Sequence, residues 1–189
     1  STGFGAAWVW TTDNNATDPV LEIVPNPNTT GVNSTATAAK FTSLVGGDPW
    51  ALTFTDNVGT FTFTAENSIV TMMVLKTVAT NVGLKVEGPD PNVEAGFIET
   101  EIQIPNTVTN GDWELLTFDF SSEIGKTFNR LVVIPDFLAR SEDHINYFDQ
   151  ISFGNGTLNL ENFSVEAVKM FPNPAHNVVS FSTSSNDPL

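Results

Sequence analysis

The chain has no cysteine among its 189 residues. Disulfides, thiolate metal sites and cysteine nucleophiles are excluded together, so the fold must stand on its core alone. Basic residues are scarce as well, with 7 Lys and Arg against 22 Asp and Glu and a formal net charge of -15. Such a field repels phosphate, which argues against nucleic acid and anionic membrane as partners and leaves neutral sugars or cations such as calcium. No run approaches the ~18 to 20 apolar residues of a membrane-spanning helix, so no membrane insertion is expected. The first residues, Ser1-Thr2-Gly3, carry neither a basic n-region nor an apolar h-region, and any leader peptide is expected to have been removed. There is no Gly-rich phosphate loop, Gly-x-Ser-x-Gly elbow, His-Glu-x-x-His signature or EF-hand spacing, and no window with 3.6-residue periodicity.

What the chain does have is apolar mass: 40% hydrophobic residues, with 15 Phe and 4 Trp. That suffices for one domain with a sizeable core and excludes disorder of the whole chain. The apolar residues recur at every second position, the spacing of strands with one face buried. Ile98, Thr100, Ile102 and Ile104 alternate with Glu99, Glu101 and Gln103. Val82, Leu84 and Val86 alternate with Lys85 and Glu87, and similar patterns occur at Leu52 and Phe54, at Phe61 and Phe63, and at Ile145, Tyr147, Ile151 and Phe153. The segment from Ser68 to Leu75 is apolar on both faces, as expected of a central strand covered on each side. Between these runs lie turns such as Pro25-Asn26-Pro27-Asn28, Gly46-Gly47-Asp48-Pro49, Gly88-Pro89-Asp90-Pro91 and Asn110-Gly111-Asp112. Short strands punctuated in this way predict an all-β fold, a two-sheet β-sandwich of jelly-roll type. A boundary is expected near Gly154-Asn155-Gly156. It divides a sandwich domain over 1–154 from a linker or extra strand over 155–168 and a short tail module over 169–189.

Catalysis needs a nucleophile, a general acid or base, or a metal-bound water at defined spacing. His144 and His176 have no His or Cys neighbour at ligand spacing and read as ordinary loop residues. Glu99 and Glu101 share a strand face, where repeated carboxylates are more often a solvated surface than a glycosidase pair. The chain is therefore expected not to be an enzyme. Sugar binding makes another demand, a flat aromatic surface for the C–H face of a pyranose with amides and carboxylates nearby for the hydroxyls. Trp50, in the Gly-Pro turn, is either an exposed platform or a lid on the core. Trp8 and Trp10 are two apart and share a strand face, turned either to the core or to a ligand. Trp113 reads as structural, and Tyr147, Phe128 and Phe137 are weaker candidates. Asp149 falls between Tyr147 and Ile151 on an otherwise apolar face, where a carboxylate is costly without a partner. A calcium ion, a salt bridge or a bend that exposes it would each remove that cost, and calcium suits a chain rich in loop carboxylates and amides.

The segments Leu21-Glu22-Ile23-Val24-Pro25-Asn26-Pro27, Gly31-Val32-Asn33-Ser34-Thr35, Gly47-Asp48-Pro49-Trp50, Trp113-Glu114-Leu115-Leu116-Thr117-Phe118-Asp119-Phe120 and Tyr147-Phe148-Asp149-Gln150-Ile151-Ser152-Phe153 occur in this order. Over about residues 1 to 153 the chain thereby resembles the jelly-roll carbohydrate-binding modules of Bacteroidetes. The resemblance implies non-catalytic binding of a polysaccharide, a β-glucan or similar algal or plant glycan, by a module of a larger secreted or cell-surface protein. It also implies a structural calcium held by Asp149 with Glu22 and Asn33, although the acidic residue that commonly opens the first strand is missing. Met170-Phe171-Pro172-Asn173-Pro174-Ala175, followed by Val178-Val179-Ser180-Phe181, is similar to the opening of the C-terminal sorting domain of type IX secretion. The rival expectation is a structural or adhesive sandwich, a spacer that binds no glycan.

Overall fold

Strands form where β-branched and aromatic residues alternate, and the computed structural model, which describes residues 8–154, contains twelve of them. They are β1 (Thr11–Asp13), β2 (Glu22–Pro25), β3 (Thr37–Ser43), β4 (Leu52–Thr55), β5 (Phe61–Thr62), β6 (Ile69–Leu75), β7 (Asn81–Pro89), β8 (Phe97–Pro105), β9 (Glu114–Asp119), β10 (Thr127–Phe128), β11 (Arg130–Phe137) and β12 (His144–Phe153). One 3-10 turn, Ser121–Glu123, is the only helical element among the described residues. The first sheet has the order β1-β4-β11-β7-β8, the second β2-β3-β12-β6-β9, and β10 pairs with β5 in a small ribbon. Every pairing is antiparallel. The two-sheet sandwich expected from the alternation is the fold observed. The expected linker over 155–168 and the tail over 169–189 lie outside the described residues.

Between the sheets, Val82, Leu84 and Val86 of β7 meet Val70, Met72 and Val74 of β6, with Leu131 and Val133 of β11 alongside. Phe61, Phe63, Phe120, Phe128 and Phe153 close one region of this core, Phe63 and Phe120 stacking at 5.1 Å and Phe61 meeting Phe63 edge-on at 5.3 Å. Ring pairs of this kind add about 0.5–1.5 kcal/mol each beyond the area they bury. β8 behaves as its alternation predicts, with Ile98, Ile102 and Ile104 against the core and Glu99, Glu101 and Gln103 outward. β6 is apolar on both sides as expected. Its Met73 and Leu75 join Ala38, Trp113 and Tyr147 in a second cluster on the far side of its sheet.

Two strands depart from strict alternation. In β4 the threonines, not Leu52 and Phe54, turn inward: Thr53 and Thr55 are buried and pair with the core residues Val133 and Leu131. Leu52 and Phe54 are thereby carried to the outer face of the first sheet. In β12 the register shifts between Asp149 and Ser152, around Gln150 with φ 48°. A bulge adds one residue and flips the faces that follow it. Phe148, Ile151 and Phe153 accordingly pack on the core while Tyr147 faces the other way. The single apolar face expected for Ile145, Tyr147, Ile151 and Phe153 is corrected on that ground.

Candidate functional site

The outer face of the first sheet is assembled by its register. Thr11, Phe54, Val132, Lys85 and Glu101 lie side by side across the five strands, with Arg130, Glu87 and Glu99 in a neighbouring row. Val132 and Ile134 are on this face, yet each is only 1% exposed. Ile134 lies across Gly83, where an added Cβ would stand 3.1 Å from it. Together these residues make an apolar floor. The Arg130 guanidinium sits 4.2 Å from the centre of the Phe54 ring, a cation–π contact. It also bonds both oxygens of Asp56, at 2.7 and 3.1 Å, and reaches Glu87 at 3.4 Å. Lys85 bridges Glu87 at 2.7 Å and Glu99 at 3.1 Å, and Gln103 donates to Glu101 at 2.7 Å while Asn81 donates to Gln103 at 3.1 Å.

The electrostatics of this face follow from the pairing. The hydrogen bond to Asp56 raises the Arg130 pKa and holds the Asp56 carboxyl below its ordinary range. Burial works against the charge of Lys85, but its hydrogen bonds to Glu87 and Glu99 outweigh it, so the pKa is raised. Wherever a described carboxyl group departs from its ordinary range the shift is downward, as at Asp56, Glu114 and Asp136. Both cations are already matched by carboxylates. The arrangement offers fixed donors and acceptors, suited to hydroxyl groups, and no spare positive charge for an acidic ligand.

Trp50 stands at one end of this face, two residues before Leu52, and keeps 47% of its surface exposed. Its turn is held by Arg140, whose side chain is fully buried and donates to the carbonyls of Leu44 at 2.9 Å, Asp48 at 2.7 Å and Leu138 at 3.0 Å. Beneath it lies a buried polar knot. Asp136 meets Lys76 at 3.3 Å, Thr80 at 2.8 Å and His144 Nδ1 at 2.8 Å. Burial pushes Lys76 down, Asp136 only partly restores it, and its pKa falls to about 8. His144, expected to be an ordinary loop residue, is thus a member of this knot. The other indoles are more enclosed. Trp10 is 8% exposed and packs edge-on to Phe148 at 5.6 Å, so of the two orientations left open for it the core-facing one is observed, and it is not an exposed platform. Trp8 is half-buried against the core, 6.0 Å from Trp10. Trp113 is structural as expected, its Nε1 donating to Asn26 Oδ1 at 3.0 Å and to the Asn28 carbonyl at 2.9 Å. Phe128 is core, Tyr147 is half-buried in the second cluster, and Phe137 is half-buried at the end of β11. His176 lies outside the described residues.

The expected metal ligands divide. Asp149 is fully buried at the β12 bulge, where its Oδ2 accepts from Asn33 Nδ2 at 2.9 Å and from the Thr35 hydroxyl, and its Oδ1 from the Gln150 amide at 2.8 Å. Asn33 Oδ1 accepts in turn from Gln150 Nε2 at 2.8 Å. Asp149 is therefore neither bent into solvent nor, among the described residues, salt-bridged; its partners are neutral. Glu22 is not part of this knot. Its carboxylate is exposed on edge strand β2 and pairs with Lys40 at 2.8 Å, which corrects its place in the expected ligand set. The donors that do converge, a carboxylate, an amide, a hydroxyl and the Thr37 carbonyl beside Thr35 at 3.2 Å, are the hard oxygens calcium takes. Among the described residues no group of three or more His, Cys, Asp or Glu gathers, so the set fits calcium in kind while holding a single carboxylate.

Sequence reasoning reached Asp149, Asn33 and Trp50 but missed Arg130, Phe54, Asp56, Lys85 and Glu87 as one site, and Thr35 beside Asp149. Arg130 and Asp56 are 74 positions apart, a separation no local pattern spans.

No protein-family profile and no curated protein matches the chain. Among solved structures, it is similar to one described as a carbohydrate-binding module of the β-sandwich superfamily with promiscuous specificity. That pair has a TM-score of 0.46 and 12% identity over 79% of this chain and 57% of the other, so this chain spans little more than half of its length. It is also similar to the family 11 carbohydrate-binding module of Clostridium thermocellum in complex with a β-1,3-1,4-mixed-linked tetrasaccharide, with a TM-score of 0.46 and 9% identity over 80% and 90%. A glycoside hydrolase domain of Endo-D from Streptococcus pneumoniae follows, at 0.39 and 15% over 77% and 21%. At such values it is the side chains of the site that carry any statement about function.

Proposed function

We propose that this chain is a non-catalytic carbohydrate-binding module that takes a neutral polysaccharide, a β-glucan or similar algal or plant glycan, on the outer face of its first sheet. The observation that carries the proposal is the Phe54–Arg130 pair at 4.2 Å, set among ion-paired carboxylates over an apolar floor. Charges matched in this way are preorganised for hydroxyl groups, and Trp50 supplies an aromatic surface at the end of the face. Each stacking contact contributes on the order of 1 kcal/mol, so a single module binds weakly and retention depends on several modules in one parent protein. That parent is a secreted or cell-surface multi-domain protein. The Met170–Ala175 motif supports export by the type IX route of Bacteroidetes, and no helix among the described residues is long and apolar enough to cross a membrane.

In this reading Asp149, Asn33 and Thr35 hold a structural calcium ion. When bound, the ion supplies the positive charge that a buried carboxylate otherwise lacks. Affinity electrophoresis of the full chain over a glycan panel is the direct test. Retardation by mixed-linkage β-glucan that is lost in Arg130→Ala and weakened in Trp50→Ala is expected. Migration unaltered by every glycan would leave the spacer alternative in possession.

A further inference from the structure

The β7–β8 hairpin and the turn before β10 frame a cavity of about 360 Å³, open to solvent on one side, that the outer face does not use. It is lined by Pro89, Pro91, Asn92, Ile98, Lys126 and Thr127, with Gly125 also on its wall. The volume is within the range of small-molecule sites, roughly 300–1,000 Å³.

The walls are preformed. Asp90 N donates to the Gly96 carbonyl at 3.0 Å and Gly96 N to the Val93 carbonyl at 2.9 Å, closing the hairpin loop on itself. On the opposite side β7 and the turn meet backbone to backbone, since a Cβ on Gly88 would fall 2.4 Å from the Thr127 carbonyl oxygen. Two proline rings and Ile98 give a stiff apolar surface of the kind that receives the C–H face of a sugar ring. Gly125, with φ +89° and nothing within 4 Å of its missing side chain, leaves the backbone open to close approach.

The polar groups select the ligand class. Lys126 is paired with Glu123 at 2.9 Å, so its charge is matched and an anion gains little. Thr127 exchanges a hydroxyl hydrogen bond with Thr62 at 2.8 Å. The Asn92 carboxamide forms no side-chain hydrogen bond among the described residues; only its backbone is engaged, donating to Asp90 Oδ1 at 2.8 Å. It therefore presents both an uncommitted donor and an uncommitted acceptor, the combination a vicinal diol satisfies.

We infer that this cavity is a second carbohydrate site, which takes a terminal ring of a neutral oligosaccharide, end-on, while the outer face takes the run of the chain. The inference draws its ligand class from the function proposed above, and its location stands apart from that face. The experiment is an amide-resolved NMR titration of the full chain with cellobiose and, separately, with the mixed-linkage tetrasaccharide. Two sets of shifts are expected, one at Lys85, Val132 and Arg130 and one at Asn92, Gly125 and Thr127. Cellobiose favours the second set. Asn92→Ala, on an exposed loop, is expected to weaken the second set about threefold to tenfold, the effect of one lost hydrogen bond, and to leave the first unchanged. Shifts at the face with none at Asn92, Gly125 and Thr127 overturn the second site alone. Shifts at the cavity with none at the face overturn the first reading and leave this one standing. Shifts at the cavity that Asn92→Ala does not weaken overturn the role given to its carboxamide and leave the second site itself standing. A spectrum of Asn92→Ala that superimposes on the parent away from the loop shows that the fold is retained.

Discussion

The outer faces of the two sheets are built from the same alternating strands and end in opposite conditions. On the second sheet Met73, Leu75, Ala38 and Tyr147 are gathered under Trp113, whose indole nitrogen is tied to the 26–28 turn. On the first sheet the aromatic ring, Phe54, has a guanidinium over it instead of an indole, and its neighbours are ion pairs whose carboxylates Asp56 and Glu99 remain more than half exposed. An apolar cluster sealed by an indole is a device for stability. A ring framed by matched charges is a device for meeting something else.

The contrast breaks most visibly at Trp113. Trp113→Ala removes the seal and two hydrogen bonds and is expected to cost about 3–5 kcal/mol, read by urea denaturation, while the folded fraction keeps its glycan affinity. Equal losses of stability and affinity would show that the two faces are not separate. Next in size is a comparison of lysines. Lys85, on the open face, has its pKa raised, whereas Lys76, enclosed where the sheets meet, is lowered to about 8. Between that value and the 10.5 of a free lysine the unfolded chain carries a proton the folded one lacks, so this group makes stability rise with pH across that window and contributes no slope below it. The rise is expected to reach about 2–3 kcal/mol and to vanish in Lys76→Met, measured as denaturation midpoints from pH 7 to 10.5. A smaller effect is expected at Arg130. Arg130→Ala should lower glycan affinity about tenfold and stability by less than about 1 kcal/mol, as its ion pairs are near the surface. The least is expected at Glu22, where Glu22→Gln should shift stability by less than about 1 kcal/mol and leave calcium affinity, followed by calorimetry, unaltered.

Where a strand obeys strict alternation the sequence was enough. β8 carries isoleucine and glutamate in register, and β6 is apolar on both sides because both sides are covered. Where an added residue or an ambiguous side chain intervenes, it was not. Threonine suits either face of a strand, and in β4 Thr53 and Thr55 took the core that Leu52 and Phe54 were expected to fill. One bulge at Gln150 turned Ile151 and Phe153 inward. The candidate site was legible only in pieces. Asp149 and Asn33, 116 positions apart, were joined through a resemblance, whereas the pairing of Arg130 with Phe54 depends on strand order, which composition and spacing leave open.

Strand β8, nine residues long, is the outermost of its sheet and offers one row of backbone groups to any extended chain that comes alongside. Its outward side chains Glu99 and Glu101 are both acidic, and a second β8 laid antiparallel against it would set carboxylates beside carboxylates within one screening length, about 8 Å at physiological salt. A second copy therefore meets like charge at the border where two such strands would otherwise join into a continuous sheet.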